Sequence, residues 1–168
     1  MPRSFESSVE FPDSVDQIFS TFCDETYWEA RIIATGNPNA KLDSLIIDPG
    51  ETVTANVSVS FLGEKLPKAI TKFSGGELKF SQTQRWVRID GDRVQGEIDV
   101  AVSRVPASGA GKALLVPVAN GARLDVTTIV EVKIPLVGGK FERYVGGLLD
   151  DDLKSFQRFT TEWIAEKS

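Results

Sequence analysis

The chain has 168 residues, 41% of them hydrophobic and 26% charged, which is the balance expected of a globular protein with one domain. Its net charge of −5 argues against binding to nucleic acid or anionic membrane surfaces, because both require clustered lysine and arginine. With no histidine and a single cysteine, the chain has no residue set for histidine-based catalysis or for a zinc or iron–sulfur site.

The first forty residues predict one strand and two short helices. Apolar and polar side chains alternate over residues 5–11, which is typical of a strand with one buried face. Asp13 or Ser14 is placed to cap a first helix with the apolar positions Val15, Ile18, Phe19 and Phe22. Asp24 begins a second helix, whose apolar side is expected to consist of Tyr27, Trp28, Ile32 and Ile33.

About six antiparallel strands are predicted to follow. The clearest alternation places Val53, Ala55, Val57, Val59 and Phe61 on one face. Asp90-Gly91 and Asn120-Gly121 are typical hairpin turns. Residues 106–111 are expected to form a small-residue loop. Within 63–76, where Leu66-Pro67 interrupts strand pairing, residues 68–74 are expected to form a short helix or a loop over one end of the sheet. The predicted strands lie at 42–48, 53–61, 77–89, 93–105, 112–119 and 122–134.

Residues 137–168 predict one long amphipathic helix. Its apolar side chains recur in steps of three and four, which places them on one helical face. They are Phe141, Tyr144, Val145, Leu148, Leu149, Leu153, Phe156, Phe159 and Trp163. Because the order of elements requires no parallel crossover, it favours an α+β fold in which the helix covers one face of an antiparallel sheet.

The order of elements, the opening FPDSVDQIFSTFCDETYWEARI and the closing KFERYVGGLLDDDLKSFQRFTTEWI together resemble the START-like, or polyketide-cyclase-like, helix-grip superfamily. They are similar to an uncharacterised actinobacterial branch of it. The resemblance spans the whole chain and implies one START-like domain over 1–168, with a curved sheet of about seven strands around the C-terminal helix and an apolar tunnel between them. Relatives bind lipids, sterols, polyketides or plant hormones, and some catalyse cyclisation or dehydration. No catalytic motif of those enzymes can be placed on this chain.

A cavity is therefore expected between the inner sheet face and the long helix. Apolar side chains would give it shape and exclude water: Val57, Val59, Phe61, Trp86, Val100, Val102, Val130, Tyr144 and Leu148. Gln82, Gln84 and Tyr144 would orient the ligand, because binding pockets place a few polar groups among many apolar ones. For the glutamines, the alternative is that a bulge shifts the strand register or that they lie at an open sheet end. For Trp86, Tyr144 and Trp163, each taken singly, a role in the core is favoured over a role in binding.

Two glycine-rich patterns have structural alternatives. Residues 109–112 resemble a phosphate-binding loop, but Pro106 and Ala113 replace the glycine and hydroxyl residue of that motif, so a hairpin loop is favoured. Gly146-Gly147 interrupts the long helix at a cost of up to about 1 kcal/mol for each glycine. These two glycines predict a bend, close packing against a bulky sheet residue, or free volume at the cavity wall.

Two sets of reactive side chains are likewise assigned structural roles. The carboxylates of residues 150–152 point about 100° apart around a helix and cannot converge on a cation, so a solvated face with an Asp150–Lys154 pair is expected. Cys23 is expected to be a small core residue rather than a nucleophile, because no histidine is present to activate it.

The leading functional hypothesis is non-catalytic binding or transport of an apolar small molecule such as a lipid, polyketide or sterol. One alternative is a cyclase or dehydratase acting on a polyketide-like or lipid substrate. Another is an interaction module with a closed cavity and an exposed apolar patch around 63–76. Neither a cofactor nor a metal is expected, nor is a nucleic-acid partner or an integral membrane segment. The lone cysteine suggests a reducing, cytoplasmic setting.

Overall fold

The computed structural model describes residues 2–48, 52–62, 77–103, 105–136 and 138–167, and gives only the backbone of residues 61, 62 and 77. Strand β1 is followed by two short helices, six further strands and a long helix, which confirms the predicted order. The elements are β1 (Arg3–Phe11), α1 (Val15–Phe22), α2 (Glu25–Ala34), β2 (Ala40–Asp48), β3 (Thr52–Leu62), β4 (Glu77–Arg88), β5 (Val94–Val102), β6 (Ala107–Val118), β7 (Gly121–Val132) and α3 (Gly138–Lys167).

The seven strands form one antiparallel sheet in the order β1-β7-β6-β5-β4-β3-β2. From β2 to β7 each strand pairs with the next one along the chain, so hairpin-type connections build most of the sheet. Strand β1 then pairs with β7. The sheet and the long helix confirm the expected α+β class.

Both short helices begin at the capping residues that the sequence indicated. The Ser14 hydroxyl accepts a hydrogen bond from the Gln17 amide, and the Gln17 side chain accepts one from the Ser14 amide, which makes a capping box before α1. The Asp24 carboxylate caps α2 by accepting from the amide of Thr26. The prediction that Ile33 faces the core is wrong, since its side chain is 79% exposed. Only the first turns of α2 enter the core, where it buries Tyr27 and Trp28.

The predicted loop over 106–111 is also wrong, because β6 begins at Ala107. Gly109 and Gly111 pair with β5 on one side and with β7 on the other, so their backbone groups are held in the ladder although they lack side chains. Two strands end earlier than predicted. Strand β5 ends at Val102, whereas its predicted end was residue 105, and β7 ends at Val132, whereas its predicted end was residue 134. The pairing of β4 with both neighbours runs without a register shift through Gln82 and Gln84. The proposed bulge is therefore absent from this strand. The prediction for 63–76 lies outside the described residues.

Helix α3 packs mainly against β1 and β7, and this placement changes which of its residues are buried. The buried residues are Gly138, Glu142, Gly146, Thr160 and Ile164. Tyr144 and Leu148, expected on the buried face, are 46% and 48% exposed. Glu142 is tolerated inside because its carboxylate accepts a 2.9 Å hydrogen bond from the Val132 amide and lies 4.0 Å from the Arg3 guanidinium. No helix within the described ranges is long and apolar enough to cross a membrane.

The buried apolar residues form two separate clusters at opposite ends of the sheet. The first cluster combines α1, α2, the second half of α3 and one end of the strands, with Phe22, Tyr27 and Trp86 at its centre. The second cluster combines the other end of the strands with the first half of α3, around Leu78 and Val130. The inner sheet face between the two clusters is the part that side chains do not fill.

Candidate functional site

A cavity of about 540 Å³ lies between the two clusters, bounded by the inner face of the sheet and by α3. This volume is within the range of small-molecule sites. Aliphatic and aromatic side chains make most of its wall, and strands β3 to β7 and β1 supply its floor. The wall of the cavity is thus mainly apolar, with few polar groups.

Two rows of paired residues run across the strands through the middle of the floor. In the first row, Val57 pairs with Gln82, Gln82 with Val100, Val100 with Gly109, and Gly109 with Val130. The second row runs parallel to it. Its members that border the cavity are Gln84, Ile98, Gly111, Thr128 and Phe5. Each row therefore contains one amide side chain on β4 and one glycine on β6.

The two glycines of β6 explain why the floor stays open. A β-carbon at Gly109 would lie 3.6 Å from the β-carbon of Val100, and one at Gly111 would lie 3.6 Å from that of Ile98. These are ordinary contact distances, so a side chain at either position would fit the strand but would occupy the cavity. The missing side chains therefore create volume rather than relieve a clash.

The two glutamines form a hydrogen-bonded chain with Trp86. The Trp86 indole Nε1 donates to Oε1 of Gln84 at 3.1 Å, and Nε2 of Gln84 donates to Oε1 of Gln82 at 3.0 Å. Trp86 is 3% exposed and packs on Phe22, with 4.8 Å between ring centroids. Its ring also lies over Gly96, where a β-carbon would be 2.5 Å from the indole. The chain of amides is therefore attached to a fixed ring at the border of the first cluster.

Some of the residues of α3 that line the cavity are also exposed to solvent. Tyr144, Leu148 and Asp152 follow one another at intervals of four on α3, and all three both border the cavity and reach solvent. A lining residue that is also exposed marks an opening. We therefore place the rim of the cavity along this side of α3.

The charged groups at this rim are paired with protein groups. Arg31 lies over the rings of Phe156 and Phe159, 5.3 and 5.9 Å from their centroids, and contacts the Asp152 carboxylate at 3.3 Å. Hydrogen bonds from Lys154 and Ser7 lower the pKa of Asp150 from its usual value. The expected Asp150–Lys154 pair is present at 3.0 Å. These charged groups are therefore paired with one another at the rim, beside the apolar floor of the cavity.

Ten of the eleven residues predicted to bind the ligand border the cavity. They are Val57, Val59, Gln82, Gln84, Trp86, Val100, Val102, Val130, Tyr144 and Leu148. The eleventh, Phe61, pairs with Leu78 on β3, and its side chain lies outside the described part of the structure. Contact of these residues with a ligand stays a prediction.

The sequence interpretation missed the two glycines of β6, Thr128, and the rim residues Arg31, Ser7 and Asp152. A signal for the glycines was present. Counting backwards from the Asn120-Gly121 turn pairs Gly109 with Val130 and Gly111 with Thr128, which places both glycines on the inner face. No comparable signal exists for Arg31, because its position over Phe156 depends on how α2 docks against α3.

The remaining sequence motifs do not add to the site. The 109–112 segment lies in the middle of β6, so no phosphate loop exists there. Cys23 packs beside the first cluster, and burial raises the pKa of its thiol. Within the described ranges, no group of three or more acidic or cysteine side chains is arranged to hold a metal ion.

Comparison with known proteins places this chain in a family. The family model described as "Protein of unknown function (DUF2505)" matches residues 6–164. The chain belongs to this family. Uncharacterized proteins of Mycobacterium tuberculosis and Mycobacterium bovis are each 31% identical to it, and the match covers 98% of either chain.

Solved structures show that this DUF2505 chain has the helix-grip fold. The di-domain ARO/CYC StfQ from the steffimycin biosynthetic pathway matches with a TM-score of 0.61 and 14% identity over 99% of this chain and 52% of that one. Ara h 8.0201 matches with a TM-score of 0.57 and 12% identity over 99% of both chains. Norcoclaurine synthase from Thalictrum flavum, solved with dopamine and hydroxybenzaldehyde, matches with a TM-score of 0.56 and 14% identity over 100% of this chain and 89% of that one. At these identities the likeness concerns the fold alone.

Proposed function

We propose that this chain binds or carries an apolar small molecule, such as a lipid, polyketide or sterol, in the cavity between its sheet and α3. The observation that carries the proposal is the cavity of about 540 Å³, whose floor is mostly apolar and has few polar residues: Gln82, Gln84, Thr128, Ser7 and Ser108. Burial of an apolar ligand there is favourable by about 25 cal/mol for each Å² removed from water. The rim along Tyr144 and Leu148 gives the ligand a way in.

Binding without catalysis is favoured by the state of the charged groups. A carboxyl group that acts as a general acid near neutral pH requires a raised pKa. The pKa of Asp150 is instead lowered by hydrogen bonds from Lys154 and Ser7. The carboxylate of Asp152 forms an ion pair with Arg31. These arrangements support a site that holds its ligand by shape, exclusion of water and hydrogen bonding.

The proposal is tested by incubating the protein with a lipid extract, repurifying it and analysing it by native mass spectrometry. We expect a bound species that has the same mass as the free compound in the extract before incubation. A bound species that changes mass would support the alternative of an enzyme. Recovery of the protein without any bound species, from this extract and from its producing cells, would contradict the proposal.

A matched pair of variants makes this experiment specific to the cavity. Gly111→Val adds a side chain to the cavity floor, whereas Thr127→Val adds none there, because Thr127 is exposed on the opposite face of the sheet. We expect the first variant to retain less of the bound species and the second to retain as much as the unmodified protein.

A further inference from the structure

The hydrogen-bonded chain on the cavity floor has a direction that Trp86 sets. An indole N–H can only donate, so Gln84 must present its oxygen to Trp86. The Gln84 amide nitrogen is then the group that faces Gln82, and Gln82 must present its oxygen in turn. The orientation of both amides therefore follows from chemistry, although oxygen and nitrogen have similar shapes.

This direction leaves an unused donor inside the cavity. Each amide oxygen already accepts one hydrogen bond, and Nε2 of Gln84 donates one of its two N–H groups. No hydrogen bond from Nε2 of Gln82 is found among the described residues, so both of its N–H groups are unused. The neighbours of Gln82 on its row are Val57 and Val100, which offer no side-chain acceptor. These N–H groups are open to the cavity, so a ligand that covers them without offering an acceptor would leave them buried and unpaired, which costs free energy.

We infer that Gln82 is a specificity-determining residue that selects apolar ligands with a hydrogen-bond acceptor, such as a ketone or quinone carbonyl, over hydrocarbons and over ligands that only donate. This inference rests on the proposed function, since it concerns the same cavity. Gln84 acts as a positioning residue for it, and Trp86 fixes the direction of the chain. Gln82 lies near the middle of the floor, between Val57 and Val100. The acceptor of a matching ligand is therefore part of its apolar frame rather than of a long polar tail.

Three tricyclic probes of nearly equal shape separate the chemistries. Fluorene has no polar group, 9-fluorenone carries only an acceptor, and carbazole carries only a donor. Each would be equilibrated with the full chain across a dialysis membrane and quantified by liquid chromatography. We expect 9-fluorenone to bind roughly three- to tenfold more tightly than fluorene, which is the factor given by one net neutral hydrogen bond. Carbazole is expected to bind no more tightly than fluorene.

Gln82→Leu should abolish this preference by weakening the binding of 9-fluorenone to the level of fluorene, because it removes the amide and keeps the site apolar. Gln82→Met serves the same purpose with a flexible side chain that adapts to the existing packing. The control is Gln95→Leu, the same change on the opposite face of the sheet, since Gln95 alternates with the buried Val94 and Gly96. This control should keep the preference for 9-fluorenone in full.

The outcomes distinguish the inference from the function beneath it. Equal binding of 9-fluorenone and fluorene, tightest binding of carbazole, or a ketone preference that survives in both Gln82 variants would overturn the inference while the proposed function stands. If none of the three probes binds at the limit of its solubility, the proposed function is contradicted and the inference falls with it.

Discussion

The ring of Phe5 on β1 occupies the place where Gly146 of α3 would carry a β-carbon. A β-carbon built at Gly146 overlaps Cε1 and Cζ of that ring, whereas one at Gly147 meets nothing within 4 Å. Phe5 and Gly146 both border the cavity, so this contact brings the helix against the sheet at the cavity wall. Of the three explanations open for the glycine pair, close packing therefore accounts for Gly146.

This contact predicts opposite effects for two neighbouring substitutions. Gly146→Ala should destabilise the protein by about 1–3 kcal/mol, because the added methyl group forces Phe5 or the helix to shift. Gly147→Ala should stabilise it by up to about 1 kcal/mol, because it improves helix propensity in open space. Urea unfolding measures both, and Phe5→Leu should recover much of the loss when combined with Gly146→Ala. Equal effects of the two alanines would contradict this packing.

Glu142 predicts a second pair of stability effects. Glu142→Leu should cost about 1–3 kcal/mol, because the Val132 amide then lies buried without an acceptor. Glu142→Gln retains a side-chain oxygen for that amide and should cost less than half as much. Thermal and urea unfolding would compare the two variants. A leucine variant as stable as the glutamine variant would show that this hydrogen bond contributes nothing.

Tyr27 predicts a loss of stability at high pH. Its hydroxyl group lies 2.7 Å from that of Thr160, and burial raises its pKa from 10.0 to about 12. Since the folded state holds this proton more tightly than the unfolded state, the stabilisation is complete below pH 10 and is lost as the pH rises towards 12. The loss should approach about 2–3 kcal/mol.

The control for this pH effect is Tyr27→Phe. This variant should be less stable near neutral pH by about 1 kcal/mol, because Thr160 loses its partner. It should nevertheless lose less stability than the unmodified protein between pH 10 and 12, since one titrating group is gone. Parallel pH profiles of the two proteins would disprove the role of Tyr27.

The glycines of β6 predict that cavity volume can be reduced without loss of stability. Gly109→Val should keep the fold, because its β-carbon makes an ordinary contact at 3.6 Å and valine favours strands. The valine methyl groups would occupy the cavity, and binding of 9-fluorenone should fall at least about tenfold, as expected when a ligand is excluded by bulk. Equilibrium dialysis measures the binding and urea unfolding the stability. Unchanged binding would mean that ligands lie elsewhere.

Much of the architecture could be read from local patterns. Strict alternation in β3, the capping residues Ser14 and Asp24, and the Asn120-Gly121 turn each act over a few residues, so they mark elements wherever the chain goes. The prediction of a loop over 106–111 was wrong because it, too, used only local residue types. Small residues are typical of loops, and only pairing with β5 and β7 shows that they form a strand.

The long helix was the element most clearly indicated by the sequence, but the sequence did not indicate which of its residues face the sheet. Periodicity placed Tyr144 and Leu148 among the apolar residues of α3, and the helix is present as predicted. Docking against β1 and β7 then turned Glu142 and Gly146 inward and left Tyr144 and Leu148 at the rim. Which part of a broad apolar face is buried depends on the surface that it meets.

The sequence by itself determined most of the elements, the antiparallel class of the sheet and the inward-facing residues of its clearest strands, because these follow from side-chain period and turn chemistry between near neighbours. Only the tertiary structure decided that a cavity remains between two packed clusters and that Trp86 orients Gln84 and Gln82 within it. Both depend on distances between segments far apart in the chain or on hydrogen bonds between side chains. No local pattern encodes such distances, since they are set by how all the elements pack at once.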